Sequence, residues 1–260
     1  CKFLQTTQSV NSNKLIIGNN CEVKINISNA EEIIIGKNVT INSLNSCPKL
    51  TKLQIGKGTV ANGSVFNNAQ LSNEDVTKAL KVLNTIKGQS FTNNSVITEV
   101  EIAENSTIGA KMFQGCTNLN KLIINDNTTV SQYSFQSLSI ENLEIKNNVK
   151  FSGYATFKEC SKLSDVKIGE YCVLGLDFFQ NCPIINVEIG KGTTGSSWTV
   201  FLNCKNIENI KYYLTDEQIS LCKEGKIDDV ISAAKIFGGV LGYNTYTKEF
   251  SFNKIIFTKQ

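Results

Sequence analysis

A phenylalanine returns at a fixed interval through most of this chain. Phe91, Phe113, Phe135, Phe157, Phe179 and Phe201 lie on one 22-residue period, and Phe66 precedes Phe91 by 25 residues. Leu44 continues the series 22 residues before Phe66. Three residues after these anchors stand Cys47, Ala69, Asn94, Cys116, Leu138, Cys160, Cys182 and Cys204. Self-similarity at this spacing is the mark of a structural repeat whose coils stack, since no single coil can bury its own apolar edge.

A short alternating run follows each anchor, as in CPKLTKLQIG (47–56), CTNLNKLIIN (116–125), CSKLSDVKIG (160–169) and CKNIENIKYY (204–213). Its apolar positions include Leu50, Leu53 and Ile55, then Leu119, Leu122 and Ile124, then Leu163, Val166 and Ile168. The last two of each set alternate with polar residues, the period of a half-buried strand. Glycine or asparagine usually follows and turns the chain. The units at 135–145 and 179–189 shorten this segment by one residue and recover it in the next, so the 22-residue total holds. The spacing predicts an α/β-type solenoid, a right-handed stack of coils with parallel strands at ~4.8 Å and interior columns of equivalent side chains.

The pattern F-x-x-C-x-x-L-x-x-[LV]-x-I-G resembles the BspA-like leucine-rich repeat family, over residues 44–212. Ile108-Gly109 ahead of Phe113, and Ala155 before Phe157, echo the family's return segment, while glycine replaces its proline after the strand. The resemblance implies a leucine-rich-repeat solenoid in a surface-associated protein.

The repeat has two ends and one break. Residues 1–43 hold shorter strands, KLIIG (14–18), CEVKINI (21–27) and EEIIIG (31–36), expected to form an N-terminal cap. After Ala69 the strand gives way to LSNEDVTKALKVLNTIKG (71–88). Ser72 suits a helix N-cap, Glu74 and Asp75 suit the first turn, and Val76, Leu80 and Leu83 recur at helical spacing, which predicts a helix over 73–84. Residues 213–260 form the expected C-terminal cover: a helix opening on Thr215 and Gln218 in capping-box spacing, a second over 227–237 ending at Gly238-Gly239, and a strand or hairpin over 246–259.

Composition removes whole classes of chemistry. All 26 basic residues are lysines; the chain has no histidine and no arginine. Ser-His and Cys-His nucleophile pairs are therefore impossible. The planar fork that reads phosphate and guanine is missing too, and the net charge is only +3, so nucleic acid is not an expected partner. No apolar run approaches the ~20 residues of a membrane helix. The bias toward lysine, asparagine and isoleucine fits an AT-rich genome.

The nine cysteines include no CxxC spacing, and five of them share a column with Ala69 and Leu138. Alanine and leucine fill small buried slots but ligate nothing, so packing is expected there, with no metal and no cofactor. Cys1, followed by QTTQSVNSNK, stands where an exported lipoprotein carries its lipid; a fragment boundary explains it equally well. Carboxylates are the remaining route to catalysis. The outward strand column reads Glu101, Ile123, Glu144, Lys167, Glu188, Lys211, and the next reads Glu99, Lys121, Asn142, Asp165, Asn186, Asn209. Opposite charges on neighbouring coils are expected to pair with one another. Tyr133, Tyr154 and Trp198 precede their phenylalanines, Tyr171 lies in a turn, and together they are candidates for an aromatic stripe with Leu176 set into it. Sequons such as Asn38-Val39-Thr40 and Asn105-Ser106-Thr107 are expected by chance in an asparagine-rich chain.

The expected function is a non-enzymatic recognition module, extracellular or on the cell surface, that binds a protein or glycan through its repeat surface. Tyr133, Tyr154, Tyr171 and Trp198, with Glu101, Ile123, Glu144, Lys167 and Glu188, are its candidate contacts, and membrane contact is expected only through a lipid on Cys1. One alternative is a carbohydrate-active enzyme using two carboxylates about 5–10 Å apart. The other is a structural spacer within a longer surface protein.

Overall fold

The computed structural model describes residues 4–5, 12–26, 29–45, 47–83, 85–237 and 255–258. They wind into a parallel β-solenoid with two strand-bearing faces. On the first face, Lys14–Ile17, Glu32–Ile35 and Lys52–Ile55 make a three-stranded sheet. A seven-stranded sheet on the same face begins at Glu99–Ile102, Lys121–Ile124 and Asn142–Ile145. It continues through Asp165–Ile168, Asn186–Ile189 and Asn209–Tyr213 to Ile255–Thr258. The second face is one ten-stranded sheet, from Leu4–Gln5 to Thr194–Gly195, whose strands have two or three residues apart from Glu22–Asn26 and Thr40–Asn45.

Helix α1 (Asn73–Val82) divides the first face, packing between Lys52–Ile55 and Glu99–Ile102 in the place of a strand. Ser72 caps it by accepting from the Asp75 N–H at 3.2 Å, and the helix ends at Val82, two residues earlier than expected, with Leu83 as its C-cap. Val76, Ala79 and Leu80 are the buried side, so the helix seals the core as a strand's inward residues would.

Register comes from the phenylalanine column. Phe66, Phe91, Phe113, Phe135, Phe157, Phe179 and Phe201 are wholly buried, and consecutive rings stack at centroid distances from 5.2 to 5.8 Å. Each ring contributes roughly 1.5–3 kcal/mol from leaving water, and offset stacking adds about 0.5–1.5 kcal/mol per pair. Phe151 and Phe178 wedge edge-on against Phe157, at 6.2 and 5.3 Å.

The cysteine after each phenylalanine has a specific task. The thiols of Cys116, Cys160, Cys182 and Cys204 donate to the carbonyls of Phe91, Phe135, Phe157 and Phe179, each on the preceding coil, at 3.0 to 3.3 Å. A small side chain with a donor thus fills the slot and bonds a carbonyl of the coil beneath, at Phe179 as a second bond beside the one from the Cys182 N–H. Cys172 does the same in another column, donating to the Lys146 carbonyl at 3.1 Å. Thr59, Thr128 and Thr193 make the equivalent bonds to Gly36, Ala103 and Gly169.

Asparagine also has a structural place. The corner after each first-face strand needs a left-handed residue, filled by Asn38, Asn105, Asn127 and Asn148 at φ from 54° to 58°. Another lies two residues after the phenylalanine, at Asn68, Asn93, Asn181 and Asn203. Asparagine tolerates this conformation better than other non-glycine residues. Glycine after the strand acts differently from the expected turn-former. Gly190 lacks a positive φ, and a Cβ there would sit 2.5 Å from the Gly169 carbonyl carbon on the coil beneath.

At the C-terminal end, α2 (Asp216–Lys223) opens with a complete capping box between Thr215 and Gln218. Helix α3 (Ile227–Ala234) ends three residues earlier than the expected 237, because Lys235 itself turns left-handed at φ 52°. Gly238 and Gly239 lie outside the described residues. Phe237 packs edge-on against Tyr212 at 5.4 Å, and the Tyr212 hydroxyl donates to the Thr193 carbonyl at 3.0 Å, tying the cover to the last coils. Of the strand expected over 246–259, Ile255–Thr258 is described, paired in parallel with Asn209–Tyr213.

Candidate functional site

The seven-stranded sheet carries an open trough of about 800 Å³ across its middle coils. Strand alternation builds it: Leu122, Leu143, Val166 and Val187 point inward and are buried, and the residues between them face out. Pairing sets Glu101, Ile123, Glu144, Lys167, Glu188 and Lys211 in one outward column. Lys121, Asn142, Asp165, Asn186 and Asn209 form the second wall.

The charges do not pair coil to coil as expected. Glu144 takes Lys146, two residues along its own strand exit, at 2.6 Å, and Lys211 turns over the Tyr213 ring at 4.9 Å. Lys167 and Glu188, adjacent in register at the trough's centre, form no ion pair with each other or with another described residue. Among the described residues, only Glu99–Lys121, at 3.3 Å, pairs across coils on this sheet, in the second wall. Glu101 accepts instead from Asn125 at 2.9 Å.

The second wall carries an amide ladder that the sequence reading did not recognise. Asn209 donates to Asn186 at 3.3 Å, and Asn186 donates to Asp165 at 2.8 Å. The asparagines' 23-residue offset, matching the coil length there, was the available signal. Hydrogen bonds from Ser164 first, and Asn186 second, hold the Asp165 carboxyl below its usual range. That is opposite to the raised pKa a glycosidase proton donor needs.

Residues 84–208 match the BspA type leucine rich repeat region, in six copies. This segment is a BspA-type leucine-rich repeat. No curated protein and no solved structure matches the chain. The trough lies almost wholly on the BspA-type repeat, with Asn209, Lys211 and Ile256 just beyond it.

The aromatic candidates divide between two corners of the BspA-type coils. Tyr154 and Leu176 are bridged neighbours on successive coils, and Trp198 follows Leu176 by one 22-residue step. Tyr133 meets the Tyr154 ring edge-on at 4.8 Å. Its hydroxyl pKa is raised, first by a hydrogen bond with Tyr154 and then by desolvation. Tyr171 does not belong with them. It occupies the left-handed corner before the second-face strand, in line with Asn148 and against Gly192.

The column cysteines are free thiols, and no group of three or more metal-ligating side chains occurs among the described residues. Burial pushes Cys47, Cys116 and Cys204 up to about 12. Cys182 is raised as well, first by the neighbouring Cys160 thiol and then by burial. Thiols held protonated this firmly are poor nucleophiles. Cys1 lies outside the described residues. No helix among the described residues is long and apolar enough to cross a membrane.

Proposed function

We propose that this chain is a non-enzymatic recognition module, displayed outside the cell, whose trough takes up a protein or glycan partner. The observation that carries this reading is the Lys167–Glu188 position at the centre of the face, where an exposed ammonium and a half-buried carboxylate adjoin in register and form no ion pair among the described residues. A partner with complementary charges gains both, and the amide ladder beside them offers further donors and acceptors. Charge placement of this kind sets orientation and specificity.

Against catalysis stand the absence of histidine, the Glu144–Lys146 pairing and the lowered Asp165 carboxyl. The test exchanges the two charges in a Lys167→Glu, Glu188→Lys variant and compares retention of surface-extract proteins and arrayed glycans with the wild type. Loss of a retained partner in the variant is expected. Equal retention by both proteins, or turnover of any glycan by the purified chain, overturns the proposal. Display on the cell surface through a lipid on Cys1 belongs to the same reading; intact-mass measurement of the chain from its source detects the added lipid.

A further inference from the structure

The corner after the second-face strands presents a line of apolar side chains only one residue wide. Tyr154 is 41% and Leu176 44% exposed, and Trp198 is half-buried, its ring packed partly against the core. Tyr133 braces Tyr154 edge-on, and the Lys111 ammonium lies 5.8 Å above the Tyr133 ring. We propose that this line is a binding site for an extended, equatorially linked glycan of the cellulose or chitin type, laid along the solenoid axis.

Three features favour a linear sugar chain. Coils rise by ~4.8 Å, close to the advance of one equatorially linked pyranose along its chain. Successive sugars in such a chain turn over, so the same C–H-rich face recurs at every second unit. Tyr154 and Trp198 recur at every second coil, with Leu176 between them, so two sugars of like orientation meet an aromatic ring and the intervening one meets an aliphatic side chain.

Width is the second feature. A protein interface needs roughly 800 Å² from each partner, and three side chains in single file with Tyr133 beside them fall well short. The third is the polar flank. The Tyr133 ring meets Tyr154 edge-on at 4.8 Å, and Asp177, next in sequence to Leu176, holds its backbone by donating from its N–H to Thr199 Oγ1 at 3.1 Å. Phenols and a carboxylate beside apolar rings match a ligand whose edges are hydroxyls and whose faces are C–H.

Trp198 is the chain's one tryptophan, so its emission reports on this line alone. Titration of the whole protein with cellohexaose and with chitohexaose should shift that emission for at least one of them, and the one that acts identifies the sugar. Cellobiose and chitobiose, too short to span Tyr154 to Trp198, should bind about tenfold more weakly or worse. Tyr154→Ala should lose about tenfold in calorimetric affinity, with a thermal midpoint lowered by no more than about 2–4 °C as the Tyr133 ring pair is lost. The Lys167→Glu, Glu188→Lys variant should bind the glycan as the wild type does, which separates this site from the trough. No heat and no emission change with either hexamer at millimolar concentration overturns the proposal. So does equal affinity of Tyr154→Ala, or a protein ligand lost on Tyr154→Ala that neither glycan displaces.

Discussion

The Cys182 thiol donates to the carbonyl of Phe157 across one coil boundary, at 3.0 Å. Phenylalanine and cysteine therefore recur together because one coil's cysteine completes the backbone of the previous coil's phenylalanine. The motif is a contact between repeats written out within each one.

Removing a ring from the middle of the column tests its weight. Phe157 touches Phe135 at 5.2 Å, Phe179 at 5.7 Å and Phe178 at 5.3 Å, with no solvent exposure. Phe157→Ala should destabilise by about 3–5 kcal/mol, read from the urea midpoint at constant m-value.

A hydroxyl in the wrong place predicts a gain. Thr156 is buried, and its Oγ1 has no hydrogen-bond partner, whereas the equivalent Ser134 donates to Gly109 and Ser131. Phe178 and Val200 hold the same position in later coils. Thr156→Val should stabilise by about 1 kcal/mol, since a buried unpaired polar group costs about 1–3 kcal/mol. A lowered urea midpoint would show that the hydroxyl is satisfied after all.

Alkaline pH should unfold this protein through its thiols. Burial holds Cys47, Cys116 and Cys204 at about 12 and Cys172 at about 11, against a usual 9.0. Above pH 9.0 the unfolded chain releases these protons while the folded chain keeps them. Stability is therefore complete below that pH and falls as pH rises toward the folded values, by about 1.4 kcal/mol per pH unit for each thiol. Urea unfolding at stepped alkaline pH measures the slope, and Cys116→Ala should flatten it.

The seating of the C-terminal cover depends on a glycine. A Cβ on Gly195 would collide with the Lys235 carbonyl oxygen at the end of α3 and reach Val200 Cγ2 at 3.0 Å. Gly195→Ala should cost about 1–3 kcal/mol and raise amide exchange in 216–234 before the central coils respond.

Much of this molecule was legible from spacing. The phenylalanine column, the inward alternation ending at Ile124 and Ile168, the Ser72 cap and the Thr215–Gln218 box follow from rules acting over a few residues or over one repeat. The site was only partly legible. Register placed Lys167 beside Glu188, yet nothing in the spacing revealed that Glu144 would turn to Lys146 and Lys211 to Tyr213. Asparagine enrichment looked like codon bias until backbone angles showed Asn38, Asn105 and Asn181 in left-handed corners.

The sequence alone determined which residues share the phenylalanine column, because the 22-residue step held from Phe91 to Phe201 brings equivalent side chains into line whatever the coil's cross-section. Only the tertiary structure decided which corner each column occupies, separating Tyr171 from Tyr154 within two short turns, and which of two competing neighbours each charge takes. Those outcomes depend on the angle at each corner and on rotamers settled by local packing, and neither is encoded in periodicity.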